Sequence, residues 1–436
     1  MAGMTKPKIL FVSRAIDRAH MQDMSELFEM SFIGPLEEIG RAEADIFWEG
    51  PWGGESEVPL DWLLYERCLE FRPDILFLIG WWMEPDDASR VNHVSLTGYY
   101  LIRKLLNIRI VWVMLDLGPQ YFETADYFTM ICDRTFTLDG YEWIQKQSAF
   151  PVKHFSINPT LSPSLFHADA HNPRNIDLAF IGGLDGYGGE RRRSVAALRA
   201  SGLDVVVPGG RSQSQERLDN VVYADGFKRA RIVICWSKHI SGKWFQTKAR
   251  IFETTLAGAM LLCEECDPVN HWFQPNVDYV PFSSQKELVA KARYYVDHEE
   301  ERLHIAARGN ETALAKYNAD VVWGQTLEQI YQSLYHEEEA IASLHQNASR
   351  HEVGVARFFA RQLQDCHFQL DPTAAMQTVE ELERAHHAWR GRLDWHGWWM
   401  RALRHKIVCL YSPLWGIFHR VARRTVLPLI LEIDRL

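Results

Sequence analysis

Residues 177–193, DLAFIGGLDGYGGERRR, place a short apolar run, a glycine-rich turn and the polar start of a helix in direct succession. The run 177–181 has the length and composition of a buried strand. Glycines let the backbone approach a neighbouring segment or a ligand closely, and a helical pattern follows over 190–201. Strand, turn and helix in this order begin a unit of a parallel α/β sheet.

The same alternation extends on both sides of this stretch. Continuous apolar runs predict buried strands, and a period near 3.6 residues predicts the helices between them. Two successive series predict an α/β protein with two Rossmann-like, doubly wound domains facing a cleft, where ligands bind at the carboxyl ends of the strands. The predicted strands are 8–13, 44–48, 74–79, 109–115 and 132–137, then 177–181, 204–207, 231–235, 260–263 and 278–280. The predicted helices are 25–40, 60–71 and 94–107, then 190–201, 249–257, 285–297, 299–307 and 324–334.

A proline-containing segment without helical periodicity, 156–175, separates the two series and is the predicted linker. Only helical patterns follow the second series. We therefore predict an N-terminal domain over 1–160, a second domain with a return helix over 161–335 and a helical extension over 336–436.

The extension differs in charge from the rest of the chain. The whole chain has 47 Lys and Arg against 57 Asp and Glu, a net charge of −10, which argues against nucleic acid as a partner. The segment 384–436 instead has ten Lys and Arg against three Asp and Glu, and five of the 16 Trp. Its amphipathic pattern predicts an in-plane helix on an anionic membrane surface. The alternative is that this apolar stripe packs on the N-terminal domain or on a second subunit.

The start of the chain and its cysteines indicate a reducing compartment. The apolar run 9–12 is too short for the core of a signal peptide, and the seven cysteines are odd in number and scattered. We expect a cytoplasmic protein, with the 384–436 segment placing it on the inner face of the cytoplasmic membrane.

Several common motifs are missing from the sequence. Arg191 stands where the last glycine of a G-x-G-x-x-G fingerprint would lie, and no phosphate-binding loop of the G-x-x-x-x-G-K-[ST] type occurs. No Asp-x-Asp pair occurs, which disfavours metal-dependent sugar transfer. Cys263 and Cys266 enclose two glutamates that oppose thiolate formation, so we interpret them as small apolar residues. Neither a metal nor a cofactor is expected.

Candidate functional residues lie at the ends of three predicted strands. The turn at Gly182 and Gly183 precedes three arginines, which either meet an anion or form a solvated helix face. A basic segment with Lys238, His239, Lys243, Lys248 and Arg250 precedes a helix containing Glu253, which either binds hydroxyl groups or caps the helix. Asp116 follows the strand 109–115 and is either a turn former or a residue of the cleft.

These features resemble a known family. An Arg-x-Phe-Glu sequence at 250–253, Ala-Gly-Ala at 257–259, a helix with paired tyrosines and an Ala-x-x-Gly helix are similar to the C-terminal half of the CgeB-like, spore-maturation-type group 1 glycosyltransferases of the GT-B fold. The pieces NIDLAFIGG at 175–183 and RIVWVMLDLGP at 109–119 agree with this resemblance. It covers most of 8–335 and excludes 336–436.

The resemblance implies a glycosyltransferase of polysaccharide biosynthesis. A nucleotide-sugar would bind in the second domain and a glycan, lipid-linked or protein acceptor in the first, with neither metal nor cofactor. Arg250 and Glu253 take the family's positions, and Glu253 would hold the nucleotide ribose. Asp116 is the candidate catalytic residue. The predicted donor-binding residues are Gly182, Gly183, Arg192, Lys243, Lys248, Arg250, Glu253 and Thr254.

One position departs from the resemblance. The wider glycosyltransferase clan often carries a further glutamate eight residues before the one at 253, and Phe245 stands there in this chain. The alternative function is therefore a catalytically silent module that binds a nucleotide or a glycan and serves in assembly.

Overall fold

The computed structural model describes most of the first 332 residues in detail. The described ranges are 6–14, 18–49, 60–79, 94, 99, 102–103, 106–114, 132–137, 154–156, 160–169, 173–184, 189–208, 218–238 and 245–332. The predicted helix 94–107 lies mostly outside these ranges. The predicted extension 336–436 lies entirely outside them, and its helical and membrane-binding character stays a prediction.

The described residues form two sheets, and every strand in them runs parallel to its neighbours. In the first sheet the order is β2-β1-β3-β4-β5-β6, and in the second it is β11-β10-β9-β7-β8. The strands are β1 Lys8–Arg14, β2 Glu43–Glu49, β3 Ile75–Ile79, β4 Arg109–Met114, β5 Arg134–Thr137, β6 His154–Ser156, β7 Ile176–Ala179, β8 Val205–Val206, β9 Ala230–Cys235, β10 Met260–Glu264 and β11 Val280–Phe282.

Helices cover both sheets. Those in the described ranges are α1 Arg18–Ser31, α2 Ile33–Ile39, α3 Leu60–Phe71, α4 Glu190–Ala200, α5 Asn220–Arg229, α6 Ala249–Leu256, α7 Asp267–Trp272, α8 Gln285–Asp297, α9 Glu299–Lys316 and α10 Ala319–Gln332. Side chains of β3 are completely buried along its length, because a parallel strand in the middle of such a sheet has apolar neighbours on both faces. The predicted fold class, two parallel sheets with flanking helices, is confirmed.

The last described helix packs on the first sheet. Trp323 of α10 is fully buried, and its ring centroid lies 5.6 Å from that of Phe77 and 6.2 Å from that of Phe11. Near its start, Asp320 accepts two hydrogen bonds from Arg41, at 2.6 and 2.9 Å. The chain therefore begins and ends its described course on the same sheet.

The predicted linker lies between β6 and β7, and its first part is fixed to the first domain. The backbone N–H of Ser162 donates to the carbonyl of Met30 at 2.8 Å, and that of Ser164 donates to Glu38 Oε2 at 2.8 Å. Thr160 also hydrogen-bonds the carbonyl of Ser31. Contacts with α1 and α2 thus set the path by which the chain leaves the first sheet. The domain boundaries at 160 and 335 stay predictions.

The helices differ from prediction where glycine allows a close contact. The predicted helix 25–40 is two helices, α1 and α2, and a Cβ on Gly34 would lie 1.9 Å from the carbonyl oxygen of Glu29. The predicted helix 299–307 continues to Lys316, because Gly309 packs against the backbone of Asp278 with room for no side chain. A glycine that looks like a helix breaker in the sequence is here a packing contact.

Candidate functional site

The carboxyl ends of β7, β9 and β10 meet at one edge of the second sheet. The glycine turn leaves β7 at this edge, and α6 begins there after the segment that follows β9. In doubly wound sheets this edge is where ligands bind. The candidate site consists of the side chains that reach this edge.

Arg250 joins α6 to the glycine turn. Its Nε donates a hydrogen bond of 2.6 Å to the carbonyl oxygen of Ile181, and its guanidinium carbon lies 5.0 Å from the centre of the Phe180 ring. A Cβ added to Gly182 would lie 2.4 Å from Arg250 Nη2. Glycine at this position is therefore what allows the half-buried arginine to lie against the turn.

A second guanidinium reaches the same turn from α4. Arg191 is buried, donates to the carbonyl oxygen of Gly183 at 3.1 Å and lies 5.5 Å from the Phe180 ring centre. Arg192, the residue predicted for this role, has an exposed side chain, as has Arg193. Arg191 therefore meets the turn, and the donor contact of Arg192 stays a prediction.

Glu253 lies inside α6, with only 2% of its surface exposed. Its Oε2 accepts a hydrogen bond of 2.9 Å from the hydroxyl of Tyr223, which comes from α5. The Thr254 hydroxyl is also buried, and it donates to the carbonyl oxygen of Arg250 at 2.6 Å. Glu253 and Tyr223 therefore form a buried polar pair between α5 and α6.

Lys248 occupies the N-cap position of α6. Its ammonium donates to Gln246 Oε1 at 2.6 Å, and its side chain is half-buried. The helix start thus carries positive charge beside the two arginines, where the helix dipole also favours an anion. Glycines, cations and a helix N-terminus together suit a bound diphosphate.

The positive charge at this edge contributes to a lowered pKa of a buried cysteine thiol beneath it. Cys235 at the end of β9 is fully buried and faces Cys263 on β10. Its pKa is lowered, first by the hydrogen bond with Cys263 and then, against the opposing effect of burial, by the charges of Arg250, Arg191 and Lys248. The three cations therefore create a positive potential at this edge of the sheet.

Sequence reasoning missed two carboxylates at the same edge. Lys238, which follows β9, lies 3.0 and 3.1 Å from the two carboxylate oxygens of Glu190 and 3.0 Å from Oε1 of Glu264. Burial lowers the pKa of Lys238, but the hydrogen bonds to Glu264 and Glu190 outweigh it, so its pKa is raised. The hint in the sequence is that both glutamates stand next to a predicted strand end or helix start.

Two predicted site residues lie outside the described ranges. Asp116, the candidate catalytic residue, follows β4, and Lys243 lies in the segment between Lys238 and Phe245. Among the residues that are described, no group of three or more His, Cys, Asp or Glu side chains is placed to hold a metal ion. The five described cysteines, at 68, 132, 235, 263 and 266, are free thiols.

Comparison with known proteins gives a family match and a shared fold. Residues 191–328 match a family model described as glycosyl transferase-like. A glycosyltransferase from Rickettsia africae has 11% identity and a TM-score of 0.50, over 76% of this chain and 100% of that one. Alr3699/HepE from Anabaena, in complex with UDP and glucose, has 12% identity and a TM-score of 0.48, over 74% and 99%. No curated protein sequence matches.

The Rickettsia structure and the two parallel sheets agree on the fold, which is the two-domain, Rossmann-like GT-B arrangement. The matched family segment begins at Arg191 and includes Lys238, Arg250, Glu253 and Glu264. The CgeB-like subgroup stays a prediction. Within the described part of the chain, every helix is too short or too polar to cross a bilayer.

Proposed function

We propose that this chain is a glycosyltransferase that moves a sugar from a nucleoside diphosphate sugar to a glycan, lipid-linked or protein acceptor. The observation that carries the proposal is the contact of Arg250 and Arg191 with the glycine turn, at the carboxyl edge of the second sheet. The glycosyl transferase-like match covers this edge and supports the same conclusion.

The cations account for the chemical step. As the bond between the sugar and the diphosphate breaks, negative charge builds on the leaving phosphate. Fixed positive groups that face this charge stabilise the transition state more than the ground state. Arg250 and Lys248 would serve in this way, with the backbone N–H groups of Gly182 and Gly183. Lys243 is a further predicted contact. In this proposal the cations neutralise the diphosphate, so that no divalent metal is required.

The ribose of the nucleotide, which bears two hydroxyl groups, would lie at Glu253. Its carboxylate is buried beside the Tyr223 hydroxyl, and a carboxylate is an acceptor to which ribose hydroxyls would donate. Ribose has two such neighbouring hydroxyls. Thr254 donates its hydroxyl to the helix backbone and would act by shaping this wall.

The acceptor side of the proposal rests on the sequence. Asp116, after the fourth strand of the first sheet, would contact the acceptor hydroxyl or a sugar hydroxyl. The basic, tryptophan-rich segment 384–436 would hold the enzyme on the inner face of the cytoplasmic membrane, close to a lipid-linked acceptor. Cosedimentation with anionic liposomes, with and without this segment, tests that placement. Equal sedimentation of the two proteins would contradict it.

A ligand screen followed by a transfer assay tests the donor proposal. Thermal unfolding is followed with UDP-, GDP-, ADP-, CDP- and dTDP-sugars, because a ligand that binds the folded state raises its stability. At least one should raise the melting temperature, and the Glu253→Ala variant should lose most of this shift. If titration calorimetry detects no binding of any of these donors to the wild-type chain, the proposal is wrong.

Phe245 favours one alternative, a silent nucleotide-binding module. Its side chain is 38% exposed and its backbone pairs with that of Lys238, at the place where a carboxylate often lies in the wider clan. Slow donor hydrolysis or transfer to a glycan extract by the purified protein supports the enzyme. Tight nucleotide-sugar binding without turnover supports the silent module.

A further inference from the structure

The backbone at Phe245 lies next to Lys238, which contacts two glutamates. Phe245 pairs with Lys238 in an antiparallel bridge, and the next N–H, of Gln246, donates to the carbonyl oxygen of Ser237 at 2.7 Å. The chain therefore returns to the end of β9 just before α6 begins. Carboxylates that contact Lys238 therefore lie close to position 245.

Lys238 holds two such carboxylates. Glu190 is the first residue of α4 and precedes Arg191, which meets the glycine turn. Its two carboxylate oxygens lie 3.0 and 3.1 Å from Lys238 Nζ. Glu264 ends β10, and its Oε1 lies 3.0 Å from the same ammonium. One cation between two carboxylates leaves the group with a net negative charge beside the positive potential of Arg191 and Arg250.

The two glutamates differ in what they can still bind. Glu264 has a side chain only 9% exposed, and its Oε2 accepts from the backbone N–H groups of Ser237 and Lys238, at 3.2 and 3.3 Å. Its acceptor capacity is used within the protein. The Glu190 side chain is 42% exposed and the Lys238 side chain 31% exposed. These two can therefore meet a ligand, and Glu264 fixes where they stand.

We propose that Glu190 and Lys238 together bind hydroxyl groups of the donor sugar, and that Glu264 is a positioning residue for Lys238. A sugar hydroxyl both donates and accepts, so a carboxylate next to an ammonium satisfies both of its functions. Lys238 follows β9, and the neighbouring strand β7 leads into the glycine turn, so the pair lies at the edge where a diphosphate would be held. The inference rests on the proposed function and names the residues that select the sugar.

The test separates binding of the sugar from binding of the nucleotide. The dissociation constants of the strongest-binding nucleotide-sugar of the screen and of its nucleoside diphosphate are measured by calorimetry for the wild type, Glu190→Gln and Lys238→Met. Both variants should bind the nucleotide-sugar about 10- to 100-fold more weakly, the range for loss of a charged hydrogen bond. Affinity for the nucleoside diphosphate should stay within about twofold, because no proposed sugar contact is made there.

Glu264→Gln tests positioning, since glutamine keeps the size of the side chain and loses the ion pair. It should reduce discrimination among sugars on one nucleotide, and Glu264→Asp should restore part of it, whereas a merely structural role would weaken both ligands alike. Glu287→Gln is the matched control, because it removes an ion pair with Lys291 on α8, away from the proposed site. It should leave unchanged the ratio of the dissociation constant of the nucleotide-sugar to that of the nucleoside diphosphate. If the wild type binds the nucleotide-sugar and Glu190→Gln keeps the wild-type ratio, the inference is overturned. If the wild type binds neither ligand, the proposed function itself fails.

Discussion

The two sheets are built alike and differ in where their charged groups lie. Both have fixed ion pairs at the amino ends of their strands, Lys8 with Glu43 in the first sheet and Arg231 with Asp177 in the second. At the carboxyl ends of the second sheet, two arginines contact one glycine turn, and Lys238 pairs with Glu190 and Glu264 at the same edge. At the carboxyl ends of the first sheet, the described charges are Arg14, which ends β1, and Glu49, which ends β2 beside it. Glu49 is buried and accepts a hydrogen bond of 3.1 Å from the Val94 N–H.

This difference separates two uses of charge on one architecture. Pairs at the amino ends are partly exposed and tie neighbouring strands, which contributes little to stability. At the carboxyl end of the second sheet, Arg191 is buried and Arg250 half-buried, and both lie over the Phe180 ring beside the glycine turn. The second arrangement costs desolvation, which makes this edge the candidate for ligand binding under the proposed function.

The largest effect is expected from a residue that belongs to neither charged edge. Trp323→Ala removes a fully buried indole between α10 and the first sheet, and loss of such a side chain costs about 3–5 kcal/mol. Chemical denaturation should show this fall in the free energy of unfolding. Protein that stays folded should bind the nucleotide-sugar as the wild type does, and a matching loss of affinity would show that the two sheets are coupled.

Substitution of one arginine at each end of the second sheet compares the carboxyl edge with the amino edge. Arg250→Ala, at the carboxyl end, should weaken nucleotide-sugar binding about hundredfold, which corresponds to about 2.7 kcal/mol for charged contacts with a diphosphate. Arg231→Ala, at the amino end, loses a 2.6 Å ion pair with Asp177 and should leave affinity within about twofold. Calorimetric titration measures both. Equal losses in the two variants would remove the distinction between the edges.

The smallest effect is expected from the exposed pair of Arg41 and Asp320. The hydrogen bond from Arg41 lowers the pKa of Asp320, so the pair stabilises the fold above the ordinary pKa of aspartate and loses this contribution as the pH falls below it. Arg41→Ala should cost less than about 1 kcal/mol at pH 7, because both side chains are solvated. The cost should shrink below about pH 4. Urea titrations of both proteins at pH 7 and pH 3 measure it, and a constant cost would assign the effect to packing.

Most strands could be predicted because buried parallel strands are continuous apolar runs, but β6, with only three residues, was missed. Helix α5 was missed, since Val221, Val222 and Gly226 disfavour a helix in isolation. Asp219 compensates by capping it, with hydrogen bonds of 2.9 Å to the N–H groups of both valines. Tertiary packing on β7 and β9 then outweighs the local preference. The missed helix matters because it carries Tyr223, the partner of Glu253.

The candidate site could be predicted only in part. Residue type and position at strand ends pointed to Gly182, Arg250 and Glu253, and the structure places all three at the expected edge. The choice between Arg191 and Arg192 depends on a rotation of about 100° per residue around the helix, which only the packing of α4 fixes. Glu190 and Glu264 are separated by 74 positions, and nothing local in the sequence relates them.

The return of α10 to the first sheet has a consequence for how the chain is made. The core around Phe11 and Phe77 lacks Trp323 and Ile330 until the ribosome has passed residue 332, although its first strand leaves the ribosome at the beginning. An isolated fragment 1–160 would expose this aromatic surface to water and would be prone to aggregate. Folding of the first sheet's core is therefore completed only after α10 has been translated.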